Sequence, residues 1–232
     1  MNRPTAIITG AGRGIGRATA VELSRRGWAV ALVSRSADEL NATAKLCEES
    51  LVAAADVSRF ESLEGVVKAT LDRFGRIDAI VNNAGLAPLK PFQEMSNDEW
   101  RATIDTNLSS VFYLSKLVWP VFAKQSSGVI VSISSLAARD PMDGFAAYGA
   151  AKAGINVFSQ ALAKEGAKIG VRVHVVAPGA TETTMFRGLF SEQQFANDRT
   201  MRPEDVAGVV AGCITGELRH ASGEVIWLHK IT

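Results

Sequence analysis

The sequence TAIITGAGRGIG, from Thr5 to Gly16, joins a short apolar run to a glycine-rich turn, and a helical pattern follows it. An apolar run of this length is typical of a buried β-strand. A glycine-rich turn between a strand and a helix leaves the unpaired N–H groups of the helix N-terminus free to bind phosphate. This stretch therefore predicts a strand–turn–helix unit that can hold a phosphate-bearing ligand.

Each glycine of this turn has a predicted role. Gly10 can turn the chain sharply, Gly14 leaves room where a pyrophosphate would approach, and Gly16 lets the helix pack closely on the strand. The spacing Gly-x-x-x-Gly-x-Gly differs from the more usual Gly-x-Gly-x-x-Gly, although Gly12 supplies the second glycine of the latter in a shifted frame. The alternative is a glycine-rich turn that binds nothing. The candidate binding residues are Gly10, Gly12, Arg13, Gly14, Ile15 and Gly16.

Short apolar runs alternate with helical patterns along the rest of the chain. Most of the runs are apolar on both faces, as expected for a parallel sheet covered by helices. This order predicts an α/β fold: one Rossmann-type domain over residues 1–232, with a doubly wound parallel sheet of about seven strands and helices on both faces. The predicted strands are residues 5–9, 29–34, 51–56, 77–82, 128–134, 171–177 and 223–228.

Composition narrows the class of protein. The chain has 232 residues, is 47% hydrophobic and 21% charged, and carries a formal net charge of +1, which gives no reason to expect nucleic acid or a membrane as a partner. Cys47 and Cys213 lie far apart without metal-ligand spacing, which favours reduced thiols in a cytoplasmic protein and predicts no metal site. The first residues contain no apolar segment of the kind found in signal peptides.

The end of the second predicted strand bears on the choice of dinucleotide. An acidic residue there normally binds the adenosine ribose hydroxyls and repels a 2′-phosphate. This chain instead has Ser34 followed by Arg35, and Arg13 in the glycine turn could reach the same region. Charge-assisted hydrogen bonds from two guanidinium groups would favour NADP(H) over NAD(H) at least about tenfold. The alternative is that both arginines are simply solvated.

Tyr148 and Lys152, in the segment YGAAK, lie on one face of a predicted helix because they are four residues apart. A free phenol has a pKa near 10, and a neighbouring ammonium group can lower it. Ser135 follows the fifth predicted strand, at the sheet edge where open α/β folds bind ligands, and its hydroxyl could hold a carbonyl oxygen. These three side chains predict acid–base chemistry at a substrate oxygen.

Together these motifs resemble the classical short-chain dehydrogenase/reductase family. The resemblance implies a catalytic tetrad of Asn107, Ser135, Tyr148 and Lys152, in which Asn107 holds a water linking the lysine to solvent. It implies hydride transfer between a nicotinamide and a carbonyl carbon, with Tyr148 donating a proton to the oxygen and Lys152 binding the nicotinamide ribose. Further cofactor contacts implied by the family are Asp56 and Val57 at the adenine, Asn83, Ala84 and Gly85 along the cofactor, Pro178 and Gly179 in a turn, Thr181 at the carboxamide and Thr183 at the phosphates.

Several functions fit these residues. The favoured one is an NADPH-dependent carbonyl reductase or 3-oxoacyl-thioester reductase acting on a small-molecule ketone or secondary alcohol. A second is a non-catalytic NADP(H)-binding regulatory protein on the same fold. A third is a non-redox lyase such as a dehalogenase, although such relatives replace the lysine and fill the nicotinamide site.

Two segments predict surfaces around the substrate. Residues 136–147 should line its pocket, where Arg139 could meet an acidic substrate or carrier; an ion pair with Asp140 or Asp143 is favoured. After Thr183, the chain offers either an apolar cover for a small or medium substrate or ordinary surface packing. The apolar side chains of that segment are Met185, Phe186, Leu189 and Phe190.

Residues 108–122 indicate whether the chain forms oligomers. Drawn as a helix, they place apolar side chains over an arc of roughly 220°, wider than one sheet-facing stripe needs. This arc fits a deeply buried helix, or a helix that also packs on a second subunit. We expect a homodimer or homotetramer.

Overall fold

The computed structural model describes residues 3–230. Its strands are β1 (Thr5–Thr9), β2 (Ala29–Ser34), β3 (Ser50–Ala54), β4 (Ala79–Asn82), β5 (Gly128–Ile133), β6 (Val171–Pro178) and β7 (Val225–Leu228). Its α-helices are α1 (Gly14–Arg25), α2 (Ala37–Ala44), α3 (Phe60–Phe74), α4 (Asn97–Ile104), α5 (Ser110–Gln125), α6 (Ala146–Gly166), α7 (Thr184–Arg187) and α8 (Pro203–Thr215).

All seven strands are parallel and form one sheet in the order β3-β2-β1-β4-β5-β6-β7. The chain winds outward from β1 to β3, returns to the centre at β4, and then winds the other way. Adjacent strands β1 and β4 are therefore followed by connections that leave in opposite directions, which opens a crevice at their carboxyl ends. The predicted doubly wound α/β fold is confirmed.

Two apolar layers hold the helices to the sheet. One packs α1, α2 and α8 against the sheet, with Leu23 and Val210 fully buried. The other packs α3 and α5 against the opposite face, with Leu114 and Phe122 fully buried. Side chains along each central strand alternate between these layers, which explains why the strands are apolar on both faces.

Three strands differ from the predicted ranges by more than one residue. Strand β3 covers residues 50–54 instead of 51–56, β4 covers 79–82 instead of 77–82, and β7 covers 225–228 instead of 223–228. The edge strands β3 and β7 each pair with one neighbouring strand, and the residues of β7 are all half-buried. Fewer ladder hydrogen bonds and less apolar burial fit the short edge strands, whereas β4 is short although it lies at the centre of the sheet.

Helices α4 and α5 are joined without a loop. A π-helical turn, Asp105–Ser109, carries the chain from one to the other, so α5 begins at Ser110 and not at the predicted Leu108. Its sheet-facing side chains are buried, whereas Phe112 on another face is 44% exposed. The wide apolar arc therefore includes a surface that this chain alone does not cover.

Two further observations concern the cysteines and the apolar helices. Cys47 and Cys213 are free thiols, as predicted. Within residues 3–230, no helix is both long and apolar enough to cross a bilayer.

Substitution of Gly16 tests whether the close packing of α1 on the glycine turn stabilises the fold. A methyl group at this position would lie 2.2 Å from the Gly10 carbonyl oxygen and 2.5 Å from the Asn83 side-chain nitrogen. We expect Gly16→Ala to lower the free energy of unfolding by more than about 2 kcal/mol, because backbone atoms would have to move. Urea unfolding followed by circular dichroism measures this change.

Gly65 is the matched control, since it lies inside α3 with open space around it. Gly65→Ala should raise the free energy of unfolding by about 0.5–1 kcal/mol through helix propensity. Equal effects of the two substitutions would contradict the packing role of Gly16.

Candidate active site

A cavity of about 700 Å³ lies at the carboxyl ends of the central strands. It runs from the glycine turn after β1 to the N-terminal part of α6. Gly16 and Asn107 lie outside its lining; the other predicted site residues contribute to it. These are Gly10, Gly12, Arg13, Gly14, Ile15, Ser34, Arg35, Asp56, Val57, Asn83, Ala84, Gly85, Ser135, Tyr148, Lys152, Pro178, Gly179, Thr181 and Thr183.

The glycine turn has the backbone that its sequence requires. Gly10 and Gly14 have φ angles of +66° and +53°, in the left-handed region that favours glycine. A methyl group on Gly14 would lie 3.1 Å from the Thr183 side chain, so these two predicted phosphate contacts lie next to each other in the cavity wall. The turn leads directly into α1, whose first N–H groups point toward this end of the cavity. The structure fits a dinucleotide pyrophosphate here.

Asn83 fixes the position of this turn. Its side-chain amide donates to the Thr9 carbonyl oxygen at 2.9 Å and to the Gly10 carbonyl oxygen at 3.3 Å. Its backbone N–H donates to the Thr9 hydroxyl at 2.9 Å. The neighbouring Asn82 is buried and donates to the Ser132 hydroxyl at 3.3 Å, so its side chain joins β4 to β5.

Tyr148 and Lys152 lie on one face of α6, as their spacing predicts. The Lys152 Nζ atom is 5.5 Å from the centre of the Tyr148 ring and donates to the Ile133 carbonyl oxygen at 2.7 Å. Ser135 begins the turn after β5, and its hydroxyl accepts from the Ala137 N–H at 3.1 Å. The sheet edge and the helix thus bring three candidate catalytic side chains together.

Burial controls how these groups ionise. It raises the pKa of Tyr148 above its ordinary value, and a hydrogen bond with Ser135 offsets part of that rise. It lowers the pKa of Lys152 to about 8. The expected lowering of the Tyr148 pKa by Lys152 is wrong for this structure, because the ammonium group bonds the Ile133 carbonyl and the phenol is partly removed from water.

Asn107 occupies the π-helical turn and is fully buried. Its amide nitrogen donates to the carbonyl oxygens of Leu86 and Thr103, at 2.8 and 2.9 Å. Its Oδ1 atom has no hydrogen-bond partner among residues 3–230. A methyl group on Gly85 would lie 2.6 Å from this oxygen and 3.8 Å from Lys152 Nζ, so the free acceptor faces the lysine end of the site.

The other end of the cavity brings together the residues predicted to select the dinucleotide, and one more. Arg13, Ser34 and Arg35 line the same wall. Glu39, from the first turn of α2, also lines it, and its Oε1 atom is 3.7 Å from Arg13 Nη1. Asp56 accepts from the Ser58 hydroxyl at 2.7 Å, which lowers its pKa. Sequence reasoning missed Glu39 because the helical position of an acidic residue does not show which loop it faces.

An aromatic wall covers the cavity beside Tyr148. The Phe145 ring centre is 5.3 Å from that of Tyr148 and 6.5 Å from that of Phe190. Phe186 lies 5.1 Å from Phe190 and 5.3 Å from Phe195, centre to centre. The sequence offered an apolar cover or surface packing for this segment, and these rings line the cavity. We call Phe145, Phe186, Phe190 and Phe195 the phenylalanine wall.

Arg187 holds the backbone of this wall. Its guanidinium group donates to both carboxylate oxygens of Glu182, at 2.7 and 2.6 Å, and to the Phe195 carbonyl oxygen at 2.7 Å. It also donates to the Asn197 side chain. One side chain therefore connects both ends of the segment that carries three of the four wall residues, a link that the sequence pattern did not indicate.

Arg139 departs from the favoured expectation. Within residues 3–230 it forms no ion pair with Asp140 or Asp143. Its guanidinium carbon instead lies 5.4 Å from the Trp227 ring centre, in a cation–π contact at the rim of the cavity. A planar guanidinium group stacks on an indole face with little loss of hydration, which favours this contact over an exposed carboxylate.

Comparison with known proteins identifies chains that are similar to this one in sequence. The sequence profile described as short chain dehydrogenase matches residues 4–194. The 3-oxoacyl-[acyl-carrier-protein] reductase of Synechocystis sp. is 37% identical over 238 residues, with 95% of this chain and 96% of the relative covered.

Two solved structures extend the similarity to three dimensions. The 3-ketoacyl-(acyl-carrier-protein) reductase from Brucella melitensis complexed with NADH has a TM-score of 0.93 at 26% identity, covering 98% of this chain and 97% of that one. A 7α-hydroxysteroid dehydrogenase complexed with NADH and 7-oxo glycochenodeoxycholic acid has a TM-score of 0.93 at 27% identity, with 98% and 93% covered.

Burial of Lys152 predicts a stability cost. Its pKa of about 8 is below the ordinary 10.5, so the penalty is fully present below pH 8 and is relieved as the pH rises toward 10.5. Lys152→Met should therefore be more stable than the wild type at pH 7, by up to about 3 kcal/mol, and this advantage should shrink at pH 10. Urea unfolding at both pH values measures the difference.

Lys68→Met is the control for this experiment, because Lys68 is 75% exposed and pairs with Asp72 on the surface. We expect a change within about 0.5 kcal/mol at both pH values. A Lys152→Met advantage that grows between pH 7 and pH 10 would show that the buried ammonium group is not the cause.

Proposed function

Because this chain belongs to the short chain dehydrogenase family, we propose that it is an NADP(H)-dependent oxidoreductase that interconverts a ketone and a secondary alcohol. The observation that carries the proposal is one continuous cavity with acid–base side chains at one end and two arginines at the other. Tyr148 and Lys152 stand at the first end, and Arg13 and Arg35 at the second.

The proposed chemistry places a substrate carbonyl beside the Ser135 and Tyr148 hydroxyls. When bound, the nicotinamide supplies or accepts the hydride. In the reducing direction Ser135 holds the substrate oxygen and Tyr148 donates a proton to it. The phenol keeps its proton at neutral pH and is therefore available as the donor.

Lys152 and Asn107 complete the proposed proton path. The lysine ammonium group, with its low pKa of about 8, can exchange a proton near neutral pH more readily than an exposed lysine. The free Oδ1 acceptor of Asn107 faces that ammonium group across Gly85. A water molecule held by this oxygen would link Lys152 to solvent, which restores the phenol proton after each turnover.

The proposed cofactor contacts follow the length of the cavity. Gly14 and Thr183 would meet the pyrophosphate, Asp56 and Val57 the adenine, and Thr181 the nicotinamide carboxamide. Arg13, Ser34 and Arg35 would meet a 2′-phosphate. The preference for NADP(H) rests on the two guanidinium groups of that wall.

The phenylalanine wall supports an apolar substrate. Aromatic side chains bury large apolar areas, and ligand sites combine such surfaces with a few polar groups that fix orientation. A ketone of the carbonyl-reductase type or a 3-oxoacyl thioester fits this combination. The similarity to reductases of 3-oxoacyl-[acyl-carrier-protein] supports the second choice.

The remaining parts of the proposal concern the whole molecule. One domain spanning residues 1–232, a cytoplasmic location and a homodimer or homotetramer stay predictions. The free thiols of Cys47 and Cys213 support the location. Exposed Phe112 and Val157, which lie on α5 and α6, support an interface between subunits.

Tyr148→Phe tests the catalytic proposal. Loss of the proton donor should lower kcat for ketone reduction by about 10²-fold or more, while NADPH binding persists. NADPH absorbance with a panel of ketones, aldehydes, quinones and acyl thioesters measures this. Tyr113→Phe is the control, since the chain's other tyrosine packs edge-to-face on Phe60, away from the cavity.

The outcomes of the panel separate the candidate functions. Undiminished activity in Tyr148→Phe would contradict the role of the phenol. NADPH binding without oxidation by the wild type on any substrate would favour the non-catalytic binding protein instead.

Arg35→Asp tests the dinucleotide preference. A carboxylate in place of the guanidinium group should lower kcat/KM for NADPH at least about tenfold relative to that for NADH, because it repels the 2′-phosphate. Arg59→Asp is the control: Arg59 also lies near Asp56 but does not line the cavity. An NADPH preference that survives Arg35→Asp would show that Arg35 is solvated.

A further inference from the structure

Glu39 brings a carboxylate to the wall of the cavity from a helix. It is the third residue of α2, and its backbone N–H donates to the Ser36 hydroxyl that caps the helix. A methyl group added to Gly12 would lie 2.8 Å from Glu39 Oε2 and 3.4 Å from the Ser34 hydroxyl oxygen. The carboxylate and that hydroxyl therefore flank the same point of the glycine turn.

The two arginines of this wall have different surroundings. Arg13 Nη1 lies 3.7 Å from Glu39 Oε1, and these side chains are 59% and 40% exposed. Among residues 3–230, Arg35 has no carboxylate oxygen within 4 Å of its guanidinium nitrogens. Arg13 is therefore close to a carboxylate before any ligand binds, whereas Arg35 is not.

We propose that Glu39 is a specificity-determining residue that opposes the 2′-phosphate and so limits the preference for NADP(H). This inference rests on the proposed dinucleotide site. The acidic group comes from α2 instead of the end of β2, where Ser34 stands. It acts against the arginines of the same wall.

Two physical effects predict that Glu39 weakens the binding of a 2′-phosphate. A phosphate monoester carries a charge of about −1.5 to −2 at pH 7, so a carboxylate beside it raises the free energy of the complex. The same carboxylate competes with the phosphate for Arg13. A ribose 2′-hydroxyl carries no charge and can donate to a carboxylate, so Glu39 does not oppose the ligand that lacks the phosphate.

Fragment binding tests this proposal without turnover. Isothermal titration calorimetry would measure Kd for adenosine 2′,5′-bisphosphate and for adenosine 5′-monophosphate in the wild type and Glu39→Gln. We expect the bisphosphate to bind the variant about three- to tenfold more tightly, whereas binding of the monophosphate is unchanged or weaker. The gain should shrink in 0.5 M NaCl because both side chains are partly exposed.

Asp38→Asn is the matched control. Asp38 lies one residue away in the first turn of α2, loses the same charge when substituted, and does not line the cavity. Its substitution should change both Kd values by less than about twofold. Equal gains for Asp38→Asn and Glu39→Gln, or no gain for Glu39→Gln, would overturn the proposal.

The same titrations separate this proposal from the NADP(H) preference itself. A wild type that binds the two fragments equally would contradict that preference, whereas the role of Glu39 is decided by the change from wild type to variant. A selective gain in Glu39→Gln supports the role of Glu39 even then.

Discussion

The hydrogen bonds from Asn83 to the Thr9 and Gly10 carbonyl oxygens are the constraint on which the rest of the site depends. They join the ends of β1 and β4, the two strands between which the winding of the chain reverses. The same amide lies against Gly16, where the first helix passes too close to the turn for any side chain. This contact sets where the glycine turn and the start of α1 lie relative to the end of β4, the strand that leads to Gly85.

The proposed catalytic end of the cavity lowers the stability of the fold. An ammonium group and an amide oxygen lie in a helix-and-sheet interior that would pack more favourably with apolar side chains. Lys152 retains one strong hydrogen bond, to Ile133, and Asn107 keeps its donors satisfied while its acceptor stays free. Such partial satisfaction suits the proposed proton path, because an unpaired acceptor can hold a water molecule.

Local signals in the sequence were sufficient for the fold and for much of the site. Strand periodicity, the glycine turn and the four-residue spacing of Tyr148 and Lys152 each depend on neighbours in the chain, so they can be read directly. Glu39 could not be assigned, because its contact with Arg13 joins a helix to a turn 26 residues earlier and depends on how α2 is rotated. The prediction of a lowered pKa for Tyr148 failed for a related reason. Spacing gives the proximity of the phenol to Lys152 but not its burial, and burial decides the direction in which the pKa shifts.

The tether made by Arg187 has a consequence for how this protein can diversify. Arg187 donates hydrogen bonds to the carboxylate of Glu182 and to the main-chain oxygen of Phe195, and neither hydrogen bond involves an aromatic ring. Rings at positions 190 and 195 can therefore be exchanged for other side chains while the loop that presents them keeps its anchor. If the wall contacts substrate as proposed, single substitutions of these rings would change the substrate range, whereas the proposed proton-transfer residues beside it stay under separate constraints.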